Sequence, residues 1–190
     1  MRVSNAAVFI DKDGTLVENV PYNVDPAKIR LARGAGEAVR AVRDSGFRVF
    51  VVSNQSGIAR GYFDEPALAR AEEALREMLA ETGASIDAFY YCPHLAGAAL
   101  SEYDVQCECR KPSPGLLERA AREHEIDLLA SWMIGDILDD IEAGRRAGCQ
   151  TILVDNSNET EWVTGGVRGP HFITRDLIQA ARIITYGGAK

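Results

Sequence analysis

Apolar and polar positions along this chain fall into two alternating rhythms. Short apolar runs, rich in Val, Ile, Phe and Tyr, occupy positions 6–10, 48–52, 88–91, 131–134 and 151–154 and read as strands. Longer stretches with helical spacing follow at 34–45, 64–82, 113–123, 138–147 and 174–184. The alternation predicts an α/β fold, a parallel sheet flanked by helices. Gly46 and Gly148 sit where helix C-terminal glycines belong, and Ser113-Pro114 reads as an N-cap followed by proline at the first helical position. Residues 156–169, rich in Gly, Asn and Thr, read as a surface loop before a last strand and helix.

Composition narrows the partners. The chain has 190 residues, 46% of them hydrophobic, enough for one domain with a substantial core. A net charge of −7 argues against a protein held to nucleic acid by its general electrostatics. No stretch approaches the roughly 20 apolar residues of a membrane span. The opening residues run into a core strand instead of a leader, so a soluble cytoplasmic protein is expected. Small phosphorylated compounds remain suitable ligands, because they need only the local positive site that Arg110, Lys111 and a bound cation can create.

Ligands of an open parallel sheet bind at the carboxyl ends of its strands, and this chain concentrates its chemistry there. The run 8–16 reads Val-Phe-Ile-Asp-Lys-Asp-Gly-Thr-Leu and ends on two carboxylates one residue apart. Side chains alternate along a strand, so Asp11 and Asp13 leave it on the same side, and Gly14 permits the turn that follows. Alone, this motif reads equally well as an ordinary turn. Three further segments follow apolar runs: Ser53-Asn54-Gln55-Ser56-Gly57, Arg110-Lys111-Pro112 and Gly135-Asp136-Ile137-Leu138-Asp139-Asp140. A phosphate monoester repels anionic nucleophiles, so a carboxylate attacks it only where a cation and positive donors neutralise the phosphoryl group. Asp11 is the candidate nucleophile, Lys111 the compact cation and Asp136 a hard oxygen ligand for Mg²⁺.

A second cluster has different chemistry. Cys92-Pro93-His94 is followed after twelve residues by Cys107-Glu108-Cys109. Three thiolates and one imidazole make a complete tetrahedral Zn²⁺ set. A disulfide competes with that reading and is disfavoured by the missing secretory segment. Cys149 reads as a buried small residue, His124 as a polar helix end, His171 as strand-edge structure, and Trp132 and Trp162 as packing residues.

The order and spacing of the four strand-end motifs resemble the haloacid dehalogenase (HAD) superfamily. With the Cys/His cluster, the resemblance narrows to the branch holding heptose 1,7-bisphosphate phosphatases and histidinol-phosphate phosphatase domains, over about residues 6–155. It implies a Rossmann-like HAD fold in a single domain spanning 1–190, with a zinc-binding loop at 92–109 and no large cap domain. It further implies an aspartyl phosphate on Asp11, with Asp13 protonating the leaving oxygen and later activating water. Asp11, a main-chain carbonyl at Asp13, and Asp136 would hold Mg²⁺. Ser53 would donate its hydroxyl to a phosphoryl oxygen beside Lys111, with Thr15 and Asp140 in support. Asp140 completes the family's Gly-Asp-x-x-x-Asp pattern, whereas Asp139 reads as favourable charge in a helix's first turn.

On the substrate side, the resemblance implies Arg110 for a second phosphate and Asn19, Tyr22, Asn54 and Gln55 around the sugar. The implied reaction is removal of the C7 phosphate of a heptose bisphosphate by a monomer. Alternatives are a histidinol-phosphate or other small polyol phosphate phosphatase, or a zinc-containing interaction module without turnover. Two departures stand out: Lys12 where arginine is common, a mild change, and Ile137 where a polar residue is usual. Without a cap, residues 18–22 and the zinc loop would have to supply substrate contacts.

Overall fold

Every residue of the first strand, β1 (Ala7–Ile10), is buried, which places it at the centre of a sheet covered on both faces. The computed structural model describes residues 5–160, 162–163 and 165–187, so the first four residues, which entered the leader argument, lie outside the described residues. Alternation sends Ala7 and Phe9 to one face, where they join Phe50, Val52 and Met133, and Val8 and Ile10 to the other, with Val49, Val51 and Ile134. On the Phe9 face the Phe9 and Phe50 rings stack with centroids 5.5 Å apart.

The other strands are β2 (Arg48–Asn54), β3 (Ala88–Cys92), β4 (Trp132–Gly135), β5 (Gln150–Val154) and β6 (Phe172–Thr174). All pair in parallel, in the order β3-β2-β1-β4-β5-β6. Helices α1 (Ala35–Asp44), α2 (Glu65–Glu81) and α5 (Leu177–Gly187) cover the Val8 face. Helices α3 (Gly115–His124) and α4 (Leu138–Ala147) cover the other. The chain builds outward from β1 to β3, then returns to lay β4 on the far side of β1. The crevice between β1 and β4 is therefore the switch point where such sheets bind ligands. There the Asp11 N–H donates to the Ile134 carbonyl at 2.9 Å, tying the two strand ends together.

Several boundaries differ from the sequence expectation for identifiable reasons. Strand β2 continues past the apolar run, pairing Ser53 with Tyr91 and Asn54 with Cys92, so part of the polar motif is in the sheet. Helix α3 starts at Gly115 with Pro114 as its cap residue, not at Ser113. The Gly115 N–H is drawn out to the Glu108 carbonyl at 2.9 Å, and a Cβ at Gly115 would lie 2.3 Å from that oxygen. Helix α5 begins at Leu177 because Thr174 belongs to β6. Trp132 is buried but Trp162 is half-exposed, so the packing role holds for the first only. Gly148 caps α4 in the left-handed conformation as expected.

Among the described residues there is no cap domain. Residues 18–33 contain only the short turn Pro26–Lys28, α2 alone links β2 to β3, and a loop carrying the cysteines links β3 to α3. No described helix is long and apolar enough to cross a membrane.

Candidate active site

The strand-end motifs converge on a buried lysine. Lys111 is 2% exposed. Its ammonium lies 2.5 Å from Asp11 Oδ1 and 2.9 Å from the Val52 carbonyl, to both of which it donates. A third contact, 2.6 Å to Asp140 Oδ1, is an ion pair outside hydrogen-bonding geometry. Asp11 comes from β1, Asp136 and Asp140 from the end of β4 and the first turn of α4. Carboxylate oxygens of the three can lie within 4.8 Å of one another.

Three buried carboxylates against one ammonium leave an excess of negative charge. Burial pushes Asp11 up to about 7 against the pull of Lys111, with Asp140 and Asp13 adding to the rise. Asp136 is pushed up to about 6 by burial and by the Asp11 charge. Burial also raises Asp140, again against Lys111. Burial works against the Lys111 ammonium, but Asp11 and Asp140 more than offset it and hold it above the ordinary lysine range. Such an all-oxygen, over-charged cluster fits a hard divalent cation, and Mg²⁺ suits oxygen ligands shared with water and a phosphate.

Backbone geometry leaves little freedom here. Gly14 adopts φ +90°, and a Cβ on it would lie 2.2 Å from Asp136 Oδ2, so the turn requires glycine for both conformation and space. Thr15 donates its hydroxyl to Asp136 Oδ1 at 3.0 Å. The Ile137 N–H donates to Asp140 Oδ2 at 3.3 Å, closing the first turn of α4 around that carboxylate.

Asp13 faces a small cavity of about 250 Å³ lined also by Asn19, Tyr22, Asn54, Gln55, Ser56 and Gly57. Its carboxylate is held by Lys12 at 2.6 Å on one oxygen and by the Gln55 amide at 2.9 Å on the other. The same Gln55 nitrogen donates to Ser53 Oγ at 2.7 Å, which leaves the Ser53 hydroxyl hydrogen for another acceptor. Both ends of the Asn54 amide are engaged by the Lys111 backbone, at 3.0 Å each. Gln55 and Asn54 thus border the cavity while holding Asp13 and the Lys111 segment in place. Tyr22, at φ 55°, packs edge-on to Tyr62 at 4.9 Å on the rim.

The second cluster forms at the end of β3. Cys92 ends β3, and its Sγ lies 3.5 Å from Cys107 and 3.0 Å from Cys109, with those two 3.2 Å apart. His94 Nδ1 lies 3.3 Å from Cys109 Sγ and 3.8 Å from Cys92 Sγ. All four cysteines are free, so the disulfide alternative is not realised. Four soft donors facing one point fit Zn²⁺. Burial pushes the Cys92 thiol up, so a thiolate there calls for a cation. Arg110 donates to the His94 carbonyl at 3.5 Å, which links this loop to the Arg110-Lys111 pair. Cys149 is buried at the entrance to β5, apart from the cluster.

Sequence reasoning missed one segment. Within the stretch read as a surface loop, Asn156 donates to the Gly14 carbonyl at 2.5 Å and Asn158 to Asp136 Oδ2 at 2.7 Å. Glu159 accepts from the Leu138 N–H at 2.6 Å. The only sequence signal was two asparagines after a strand, which also describes any turn. Asp139, read as helix-start charge, pairs with Arg168 at 3.3 Å.

Sheet order, carboxylate cluster and buried lysine are the arrangement that the HAD resemblance implies. A family model described as HAD-hydrolase-like matches residues 108–180. The chain is 39% identical over 181 residues to the D-glycero-beta-D-manno-heptose-1,7-bisphosphate 7-phosphatase of Haemophilus influenzae, covering 95% of this chain and 97% of that protein. With the Photorhabdus laumondii enzyme of the same name it shares 42% identity over 141 residues, 74% of this chain and 75% of the relative. The D,D-heptose 1,7-bisphosphate phosphatase of B. bronchiseptica, solved with magnesium and phosphate, superposes with a TM-score of 0.83. That structure is 29% identical, and the match covers 96% of this chain and 99% of the other. The chain belongs to the HAD-like phosphatase family of these proteins.

Proposed function

We propose that this protein is a Mg²⁺-dependent phosphatase that removes the C7 phosphate of D-glycero-D-manno-heptose 1,7-bisphosphate through an aspartyl-phosphate intermediate. The observation that carries the reading is the different placement of two adjacent cations: Lys111 is buried on Asp11, whereas Arg110 is only partly buried and donates to the His94 carbonyl. In this reading one cation serves the transferred phosphate, and the other, held by one long contact to the His94 carbonyl, serves a second anion. The names of the relatives support the choice of sugar.

In this reading the Asp11 carboxylate attacks phosphorus, and the bond to the sugar oxygen breaks. Asp13 gives that oxygen its proton and later takes one from the water that hydrolyses the intermediate. Lys111 and the Ser53 hydroxyl hold the equatorial oxygens. When bound by Asp11, Asp136 and the Asp13 carbonyl, Mg²⁺ supplies neutralising charge. Zn²⁺ on Cys92, His94, Cys107 and Cys109 serves to fix the 92–109 loop. Asn19, Tyr22, Asn54 and Gln55 border the sugar. We further infer that the chain works as one domain and as a monomer, because a single chain brings every named residue to the site. The cytoplasm, where thiolates stay reduced, suits the zinc loop.

The test is kcat/KM for the heptose bisphosphate, a heptose monophosphate and histidinol phosphate, in the wild type and in Arg110→Ala. The wild type should prefer the bisphosphate. Arg110→Ala should lower its kcat/KM about 100-fold and that of the monophosphate by no more than about fivefold, because a bidentate phosphate contact is lost from one substrate only. Equal proportional losses would reject Arg110 as the reader of the second phosphate, and a preference for histidinol phosphate would reject the sugar assignment.

Acidity gives a second test. Asp11 and Asp136 hold protons up to about 7 and about 6 in the folded protein, against an ordinary 3.8. Over that window the folded state binds more protons than the unfolded chain, so metal-free stability falls as pH rises. A cation competes with those protons. Going from about pH 5.5 to about pH 7.5 should therefore lower the Tm of metal-free protein and enlarge the Tm gain on adding Mg²⁺. A Mg²⁺-induced gain that stays constant across the window counts against these carboxylates as the ligands.

Elemental analysis should find one tightly held zinc per chain, unchanged in Cys149→Ser and lost in Cys109→Ser. Zinc retained in the second variant would remove Cys109 from the site.

A further inference from the structure

Asp136 is served by two donors from different parts of the chain. Thr15, in the turn after β1, donates to one oxygen at 3.0 Å, and Asn158, in the loop after β5, to the other at 2.7 Å. The second contact is the middle one of three. Asn156 reaches the Gly14 carbonyl at 2.5 Å, and Glu159 accepts the N–H of Leu138, the first residue of α4, at 2.6 Å. Residues 156–159 therefore cross the switch-point crevice like a strap and touch the motif turn, the carboxylate and the helix start behind it. Packing is close along the strap, since the absent Cβ of Gly14 would lie 2.6 Å from the Asn158 amide nitrogen.

The chemistry of asparagine suits this position. An amide N–H fixes the plane of a carboxylate while each oxygen keeps lone pairs for a cation. A lysine or arginine there would compete with a divalent cation for Asp136, and an aspartate would repel the carboxylate. Glu159 adds an anion to the positive end of α4, where it is favourable, and so anchors the strap from the far side.

We propose that Asn158 is a positioning residue for the catalytic cation, holding Asp136 in its ligating orientation by means of a strap anchored at Asn156 and Glu159. The inference rests on the reading of Asp136 as a Mg²⁺ ligand. Partners of this kind typically change metal affinity by about 10–100-fold when removed.

The experiment is titration of the zinc-loaded, Mg²⁺-free protein with Mg²⁺ alone, followed by calorimetry and by the Mg²⁺-induced rise in Tm. Asn158→Ala should weaken the Kd for Mg²⁺ about 10–100-fold, shrink the Mg²⁺-induced rise in Tm, leave zinc content unchanged, and recover most of kcat at saturating Mg²⁺. Glu159→Ala, which frees one anchor while keeping the amide, should weaken Mg²⁺ by a smaller factor. A Kd for Asn158→Ala within about twofold of wild type overturns the proposal. So does a fall in metal-free Tm with an unchanged Mg²⁺-induced rise, since a merely structural role behaves that way. Asp136→Asn separates the two readings. If it binds Mg²⁺ as the wild type does, the assignment of the cation site itself fails; if it loses Mg²⁺ while Asn158→Ala does not, only the strap is rejected.

Discussion

Asp11→Asn is expected to lower turnover of every phosphate ester by about four orders of magnitude or more, as loss of a covalent nucleophile does. The amide keeps the shape of the side chain and removes the anion that, in the proposed mechanism, attacks phosphorus. Its fold should survive. Asp11 sits at the end of a strand whose four residues are wholly buried, and the Asp11 N–H to Ile134 contact belongs to the backbone. Burial already opposes the Asp11 charge, so a neutral residue there relieves one penalty while leaving Lys111 paired with Asp140. Phosphate release, far-ultraviolet circular dichroism and zinc content together check the expectation. Near-normal release by a folded, zinc-loaded variant would reject covalent catalysis at Asp11.

Lys111→Met should damage both stability and activity, and by a different route. The ammonium is enclosed by Asp11 Oδ1, Asp140 Oδ1 and the Val52 carbonyl, with 2% exposure. Methionine fills the stem but leaves the carboxylates unpaired, and breaking a buried ion pair from one side costs about 3–5 kcal/mol. Lysine is held above its ordinary 10.5, so its contribution is fully present at neutral pH and fades only on the alkaline side. In the variant the carboxylates can instead take protons. The Tm deficit should therefore be largest near pH 7.5 and shrink toward about pH 5. Turnover of mono- and bisphosphates should fall together, by about 100-fold or more, because in the proposed mechanism the lost charge serves the transferred phosphate common to both. A variant that keeps wild-type Tm at neutral pH, or that loses activity with the bisphosphate alone, would overturn this account of Lys111.

The sequence alone determined the class of fold and the inventory of chemistry. Alternating apolar runs and helical stretches specify a parallel α/β sheet because each run must be buried on both faces, and the motifs after β1, β2 and β4 fall at strand ends where such sheets bind ligands. The Asp-x-Asp pair and the Cys/His set are local, so spacing reveals them. Tertiary structure decided how these pieces are shared out. That Lys111 is sunk among Asp11, Asp140 and Val52 while Arg110 stays at the Cys/His loop depends on β2 meeting the 110–111 segment, which no local pattern encodes. The resemblance places Asn54 and Gln55 around the substrate, and the fold adds a second task that no local pattern encodes, since their amides hold Lys111, Asp13 and Ser53. Asn158 lies 22 positions from Asp136 in a stretch with the composition of any surface loop, and only the return of the chain across the switch point brings the two together. Periodicity reports which face of an element is buried, because that depends on neighbours a few residues away. It carries nothing about hydrogen bonds between segments a hundred residues apart, because those depend on the order in which strands are laid into the sheet.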